Sequence, residues 1–537
     1  MPFIIGLLLI GSIRIVSTYT VFNHTSDEPN HIACGMEWLQ NGTYSFETQH
    51  PPLARVAAAL GPYLIGARVQ DKIVPDTLSV PIAGTHILYR DHRYDLTLAL
   101  ARLGILPFFW IACVVVYWWA RRCYGTVIGI VALFLFSFLP PILAHAGLAT
   151  TDMALTAFMG AAFVSGLWWL EQPTLLRGAI AGACAGLAVL SKYSSLPFLA
   201  ASIACAAVLY VVFERPQVPS LLQNAKLALP SFGVGILVTA MVIWSGFRFS
   251  IGSVAGIPVR LPAPELFSGI QSVAAHNRIG HHTYLLGNYS VKGFWYYYPI
   301  VLGVKTPLAV LVLFGFGLFL VMRKNTRPVK IWQPLGLIAG VLAIGLYSRI
   351  NIGVRHILPV YMAMSMMAAV AIVRMPEWFA GRRWGNLLLG ALLAWFAGSS
   401  LFSHPDYLPY FNELAGSEPE KIVVDSDLDW GQDIKRLGHR LNELGATRVA
   451  FFTTLIADLE KEHGFPHVTG QDPFRPSRGW NAVSLTFWKL TKLGILGLNR
   501  QGQLFNSYPG RAVWPDEVPR GERVGKSILL WEVDVTK

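Results

Sequence analysis

The stretch TLALARLGILPFFWIACVVVYWWARRCYGTVIGIVALFLFSFLPPILA (97–144) decides the fold. It holds two apolar runs, 97–119 and 126–144, separated by a short connection that carries Arg121 and Arg122. A bilayer core about 30 Å thick needs about 20 apolar residues per helix, so each run is long enough to cross it. Nine further runs repeat the pattern outward from this pair, at 2–21, 152–170, 178–191, 196–213, 227–246, 300–322, 331–347, 357–373 and 386–402. The reading is an α-helical polytopic membrane protein of about eleven transmembrane helices. Composition agrees: 53% of the 537 residues are hydrophobic and 14% are charged, where a soluble chain carries about 25% charged residues.

The formal charge of +12 would suggest a nucleic-acid partner on a soluble protein. Here twelve basic residues sit in five short connections: Arg121, Arg122, Arg177, Arg215, Lys226, the four of RKNTRPVK (323–330), Arg374, Arg382 and Arg383. The short connections of the other face hold only Lys192, Arg349 and Arg355. Positive loops stay in the cytoplasm, so the charge orients the helices and excludes nucleic acid. The N-terminus is then cytoplasmic and the C-terminus outside. The first run, MPFIIGLLLIGSI, lacks a basic n-region and a cleavage site, which argues for a retained span. Arg14, inside it, is expected to face other helices. The five cysteines show neither metal-ligand spacing nor a disulfide framework. Three sequons, at Asn23, Asn41 and Asn288, matter only in a eukaryotic secretory setting.

Three long segments fall outside: 22–96, 247–299 and 403–537. The last, with helix-like 432–444 and strand-like 448–454 and 527–533, reads as a small extracytoplasmic α/β domain after a transmembrane domain over 1–402. In the first, Leu53, Val56, Ala57, Leu60 and Leu64 recur on one helical face behind Pro51-Pro52, the pattern of a helix lying along the membrane surface.

The ionisable residues that topology does not need gather on this outer face. Asp27 and Glu28 follow the first span, with His50 further along the same loop. Asp152 opens the fourth span, and Lys192 lies between the fifth and sixth. Lys305 sits just inside the eighth, and Arg349, Arg355 and His356 precede the tenth. Charges at membrane depth are costly and face a cavity or a partner. Such a set suits transfer of a sugar carried on a lipid phosphate. The phosphate is already a good leaving group, so cations need only balance its growing charge, while a carboxylate takes the proton of the attacking hydroxyl.

Asp27-Glu28 followed by His50-Pro51-Pro52-Leu53 resembles the first-loop pattern of the protein O-mannosyltransferase superfamily, which includes bacterial polyprenyl-phosphate-sugar glycosyltransferases and the aminoarabinose transferase of lipid A. The resemblance continues through Asp152, GLAVLSK (186–192), VKTPL (304–308) and RHILPV (355–360). It implies a GT-C fold and an enzyme that moves a glycosyl group, with inversion, from a polyprenyl-phosphate sugar to a hydroxyl of a glycan, lipid or protein. By the same resemblance the base is Asp27, with Glu28 second. His50 shapes the acceptor side, and Lys192, Arg355 and His356 face the phosphate. Asp152, Lys305 and Arg349 complete the substrate-binding set. Eukaryotic members carry Lys after HPPLG where this chain has Ala54-Arg55, and they insert a lectin-like domain absent here, so mannose and a protein acceptor do not follow. No cofactor or metal is required. Asp425, Asp427 and Asp429 alternate as metal ligands can, but the Gly and Glu of an EF-hand are replaced by Trp430 and Arg436. Turn and capping roles fit these acids better. The competing reading is a transporter or flippase of a lipid-linked substrate, which would place its charges at the midplane.

Overall fold

The computed structural model describes residues 2–323, 330–380, 382–453, 455–472, 474–492, 495–498, 504–506 and 513–534. Helix α1 (Pro2–Val16) precedes three helices of the segment 22–96, α2 (Glu28–Asn41), α3 (Pro52–Leu64) and α4 (Ser79–Tyr89). α5 (Tyr94–Leu103) and α6 (Leu106–Tyr124) run on as one span of 31 residues. Gly125, at φ 94°, turns the chain directly into α7 (Thr126–Phe138), a backbone angle that suits glycine. Pro140 and Pro141 break the next span, so α8 (Pro140–Ala146) leaves α7 at 65°.

Then come α9 (Asp152–Glu171), α10 (Leu175–Ser191), α11 (Ser195–Glu214) and α12 (Val218–Gly246). The segment 247–299 holds the hairpin β1 (Ile251–Val254) and β2 (Ile257–Pro262), helix α13 (Pro264–Ile279), and the hairpin β3 (Thr283–Leu285) and β4 (Asn288–Ser290). Pro307 bends the following span by 113° between α14 (Tyr297–Lys305) and α15 (Leu308–Met322). α16 (Trp332–Tyr347), α17 (Val360–Trp378) and α18 (Arg383–Phe402) complete the helical part.

Each expected run falls on helix, with 97–119, 126–144 and 300–322 each divided between two helices. Among the described residues six helices are long and apolar enough to cross a membrane, and eight if each bent pair counts as one span. α1, α10 and α16 are shorter apolar helices, so length alone does not confirm a count of eleven. The runs 126–144 and 300–322 were expected to be continuous and are broken at their prolines. α17 is buried on nearly every side and forms the axis of the bundle, which is why MAMSMMAAVAIV shows no polar face.

α9 separates two charged zones. Asp152 stands at its first residue and Glu171 at its last. Twenty helical residues span about 30 Å. At the far end Glu171 pairs with Arg122 and Lys330, both from the basic connections. The other end holds the groups singled out by sequence. Arg14 does face other elements, donating to Tyr407 Oη at 3.0 Å and Ser400 Oγ at 2.8 Å.

In the tail, helices α19 (Ile434–Glu443), α20 (Leu459–His463) and α21 (Leu485–Lys492) accompany strands β5 (Arg448–Phe452), β6 (His467–Thr469), β7 (Gly479–Ser484), β8 (Ile495–Leu498), β9 (Leu504–Asn506), β10 (Glu522–Val524) and β11 (Ile528–Val533). Five of them form a mixed sheet in the order β10-β11-β7-β5-β6, with β5 parallel to both neighbours. β8 and β9 pair separately. All five cysteines are free.

Candidate active site

Asp27 is the N-cap residue of α2, yet its side chain makes no capping hydrogen bond. The carboxylate instead accepts from Arg355 Nη1 at 2.8 Å, and over a third of the side chain stays exposed. It borders an open cavity of about 500 Å³ lined also by Ser26, Asn30, Glu47, Gln49, Asp76 and Ser272. The neighbouring acid goes the other way. Glu28 is fully buried and accepts from Arg102 Nε and Nη2, both at 2.9 Å, from the Ala149 amide at 2.9 Å and from the Thr25 amide at 2.7 Å. Burial works against its charge, but Arg102 and these amides hold its pKa below the usual carboxylate range. Both oxygens are saturated by protein donors, two each.

Arg355 sits in a short 3-10 turn, Val354–Ile357, ahead of α17. Its Nε donates to the Ile352 carbonyl at 3.0 Å, and its guanidinium lies 4.0 Å over the Trp430 ring. Asp152 Oδ2 is 3.9 Å away, and Asp152 Oδ1 accepts from Lys192 Nζ at 2.6 Å. The result is an alternating row, Asp27, Arg355, Asp152, Lys192, drawn from four separate segments. Burial opposes the charge on Arg355, but Asp27 and Asp152 keep its pKa above the ordinary arginine value. His356 stacks on Tyr298 with centroids 5.8 Å apart and meets the edge of Phe198. Burial and the Lys192 charge push its pKa down to about 3, so it is neutral.

Buried polar atoms without a hydrogen-bond partner concentrate around this row: His145 Nδ1, Thr150 Oγ1, Asp152 Oδ2, Tyr193 Oη, Ser194 Oγ, Ser195 Oγ and His356 Nδ1. A buried orphan costs about 1–3 kcal/mol, so a concentration of them marks a place that takes a ligand or ordered water. The bend at Pro140-Pro141 is what brings His145 here.

His50 belongs to an adjoining group built on Arg55. That guanidinium is wholly buried and pairs with Glu47, whose carboxyl it holds far below the usual range against the cost of burial. It also donates to His31 Nδ1 at 3.0 Å and to the Glu47 and His50 carbonyls at 2.8 and 3.2 Å. Gly35 of α2 lies so close to α3 that a Cβ would stand 1.9 Å from the Arg55 carbonyl. Along α3, Leu60 and Leu64 are exposed and Leu53, Val56 and Ala57 half-buried, opposite the buried Ala54, Arg55 and Ala58. That is the outward apolar face the sequence spacing describes.

Two expected residues serve other contacts. Lys305 Nζ donates to the carbonyls of Leu408 at 2.7 Å and Asp427 at 2.6 Å, which ties α14 to the tail. Arg349 is exposed and bonds the Arg278 carbonyl at the end of α13. Sequence reasoning missed Arg102, Glu47, Arg55, His145 and Trp430. A signal existed for two of them: Arg102 is a charge inside an apolar run, and Arg55 interrupts an apolar helical face. The Asn23 sequon is closed by geometry, since Asn23 is fully buried and donates to the His24 and Gly431 carbonyls. Asp427 Oδ1, Asp429 and Asp433 accept from backbone amides, while Asp427 Oδ2 is buried without a partner.

Residues 98–244 match the family described as dolichyl-phosphate-mannose-protein mannosyltransferase. The whole chain superposes on the crystal structure of ArnT from Cupriavidus metallidurans bound to undecaprenyl phosphate, at a TM-score of 0.53 and 13% identity, covering 98% of this chain and 97% of that one. The superposition on ArnT shows a fold of the GT-C type. The apo form of the same ArnT gives a TM-score of 0.52 at 12% identity over 98% of this chain and 97% of that one. No curated protein matches the chain in sequence. In this fold the alternating ion-pair row is built from the connection before α2, the start of α9, the α10–α11 connection and the turn before α17.

Proposed function

We propose that the protein transfers a glycosyl group, with inversion, from a polyprenyl-phosphate sugar to an acceptor hydroxyl on the outer face of the cell membrane. The observation that carries the reading is the double exposure of Asp27. One side of its carboxylate opens on the cavity of about 500 Å³, and the other pairs with Arg355 at the head of the ion-pair row. An acceptor hydroxyl in the cavity gives its proton to Asp27 as its oxygen attacks the anomeric carbon. The bond from that carbon to the phosphate oxygen breaks with its electron pair on the phosphate. Arg355 and Lys192 balance the new charge. A single displacement inverts the anomeric centre. Ser194, Ser195, His145 and His356 offer the unpartnered polar atoms that a phosphate replaces bulk water in satisfying. Undecaprenyl phosphate in the ArnT of similar fold supports a lipid-phosphate donor. The basic residues of the short connections support an N-terminus in the cytoplasm and the three long segments outside.

Binding of undecaprenyl phosphate to the purified protein tests the cationic half of the site. Lys192→Met and Arg355→Met should each weaken it by tenfold or more, since a charge-assisted hydrogen bond contributes about 1.5–3 kcal/mol. Unchanged affinity in both variants would remove the phosphate from this row.

A further inference from the structure

The turn Asp425–Asp433 lies between the tail sheet and the Asp27–Arg355 pair and is bonded to both. On the sheet side, the Asp429 carboxylate accepts from Ser484 Oγ at 2.5 Å and the Thr486 amide at 2.9 Å. The Asp433 carboxylate accepts from the Lys526 amide at 2.9 Å, the Ser527 amide at 3.1 Å and Ser527 Oγ at 2.8 Å. On the other side, the Trp430 carbonyl accepts from the Ser26 amide at 3.2 Å, one residue before Asp27. The Gly431 carbonyl accepts from Asn23 Nδ2 at 2.6 Å. Asp427 Oδ1 accepts from the Val354 amide at 2.9 Å, one residue before Arg355, and Ser426 Oγ donates to the Ile352 carbonyl at 2.7 Å. Gly431, at φ 87°, makes the reversal between the two sets of bonds.

The indole of Trp430 completes the arrangement. It is 5% exposed and carries the Arg355 guanidinium 4.0 Å over its ring. Arg355 has a carboxylate on either side, Asp27 at 2.8 Å and Asp152 at 3.9 Å. With Nε also donating to the Ile352 carbonyl at 3.0 Å, the guanidinium is held at its edge, and the flat aromatic face restrains its tilt without competing for its N–H groups.

We propose that Trp430 is a positioning residue. Its ring sets the plane of Arg355 and its carbonyl sets the chain entering α2, so the tail turn completes the Asp27–Arg355 pair and the reaction requires the tail. This rests on the reading of that pair as the reacting centre. The tail is then a structural part of the active site, held to it by the sheet through Asp429 and Asp433.

The test uses the full-length protein in detergent, with undecaprenyl phosphate as the probe and Arg355→Met as the comparator. Trp430→Phe keeps an aromatic face and should bind within about twofold of wild type. Trp430→Met keeps bulk without the face and should bind about tenfold more weakly, the scale of a desolvated cation–π contact, at an unchanged melting temperature. Fluorinated tryptophans placed at 430 by nonsense suppression keep the shape and drain the ring's negative face. Affinity should fall with each added fluorine, and this series decides the matter if Trp430→Met does not fold. Wild-type affinity across the fluorinated series, with Arg355→Met weakened, would overturn the positioning role and leave the reaction reading intact. Equal affinity in wild type and Arg355→Met would overturn both.

Discussion

Replacing Glu28 by Gln should cost the protein its fold, whereas the acid beside it should cost only chemistry. Glu28 is fully buried, and its two oxygens accept four hydrogen bonds, two from Arg102 and one each from the amides of Thr25 and Ala149. A glutamine offers one acceptor oxygen and turns an NH2 group toward donors. Arg102 would keep only the carbonyls of Tyr19, Phe22 and Asn23 and would be a buried cation without its counter-ion. Breaking a buried pair this way costs about 3–5 kcal/mol, a large share of a total stability of about 5–15 kcal/mol. Glu28→Gln should therefore give a low yield of monodisperse protein and a lowered melting temperature in detergent. Whatever remains folded should keep its transfer rate per molecule. The double change Glu28→Gln with Arg102→Met removes the stranded cation and should recover much of the loss, because buried pairs replaced on both sides are often close to neutral. A Glu28→Gln protein that melts like wild type but has lost transfer would refute this division of labour and return Glu28 to the reaction.

Acidification should loosen the contact between the connection before α2 and the tail. His24 is fully buried, with ring nitrogens on Tyr94 Oη at 2.8 Å and the Ile456 carbonyl at 3.1 Å, and burial lowers its pKa to about 4. A histidine depressed in the fold contributes stability that is present above the unfolded value of 6.5 and is lost as pH falls toward 4. The loss amounts to about 3 kcal/mol for this group. The melting temperature should fall across that window in wild type and less in His24→Gln; identical profiles would refute the assignment. Gly35→Ala should destabilise by several kcal/mol, since its Cβ would lie 1.9 Å from the Arg55 carbonyl. A wild-type melting temperature in that variant would show that α2 and α3 can separate at no cost.

Most of the fold was legible because bilayer-spanning helices announce themselves by length and apolarity. The breaks at Pro140 and Pro307 were readable only as prolines in apolar runs, and neither run reveals by itself that it bends. Asp152, Lys192 and Arg355 stood out because a charge at the end of an apolar run needs a reason, and the structure joins all three with Asp27. The resemblance ranked Asp27 before Glu28, but their position in the sequence does not tell them apart. Adjacent residues at a helix start point in directions about 100° apart, and only the position of Arg102 and Arg355 decides which acid is sealed. Lys305 carried the same signal as Lys192, yet its partners are tail carbonyls more than a hundred residues away in sequence, which no local pattern shows. The alternating acids of the tail look like ligands in sequence because a turn that anchors a sheet on one side and a helix on the other needs acceptors at the same spacing.

The central claim is that Asp27 takes the proton of an acceptor hydroxyl while a lipid phosphate leaves. Mass spectrometry of envelope glycans and glycolipids tests it, comparing cells with the wild-type protein, without it, and with Asp27→Asn produced at wild-type level. One glycosylated product should be present with wild type, missing without the protein, and missing or reduced by at least about a hundredfold with Asp27→Asn. The same product at wild-type abundance in the Asp27→Asn cells would contradict it.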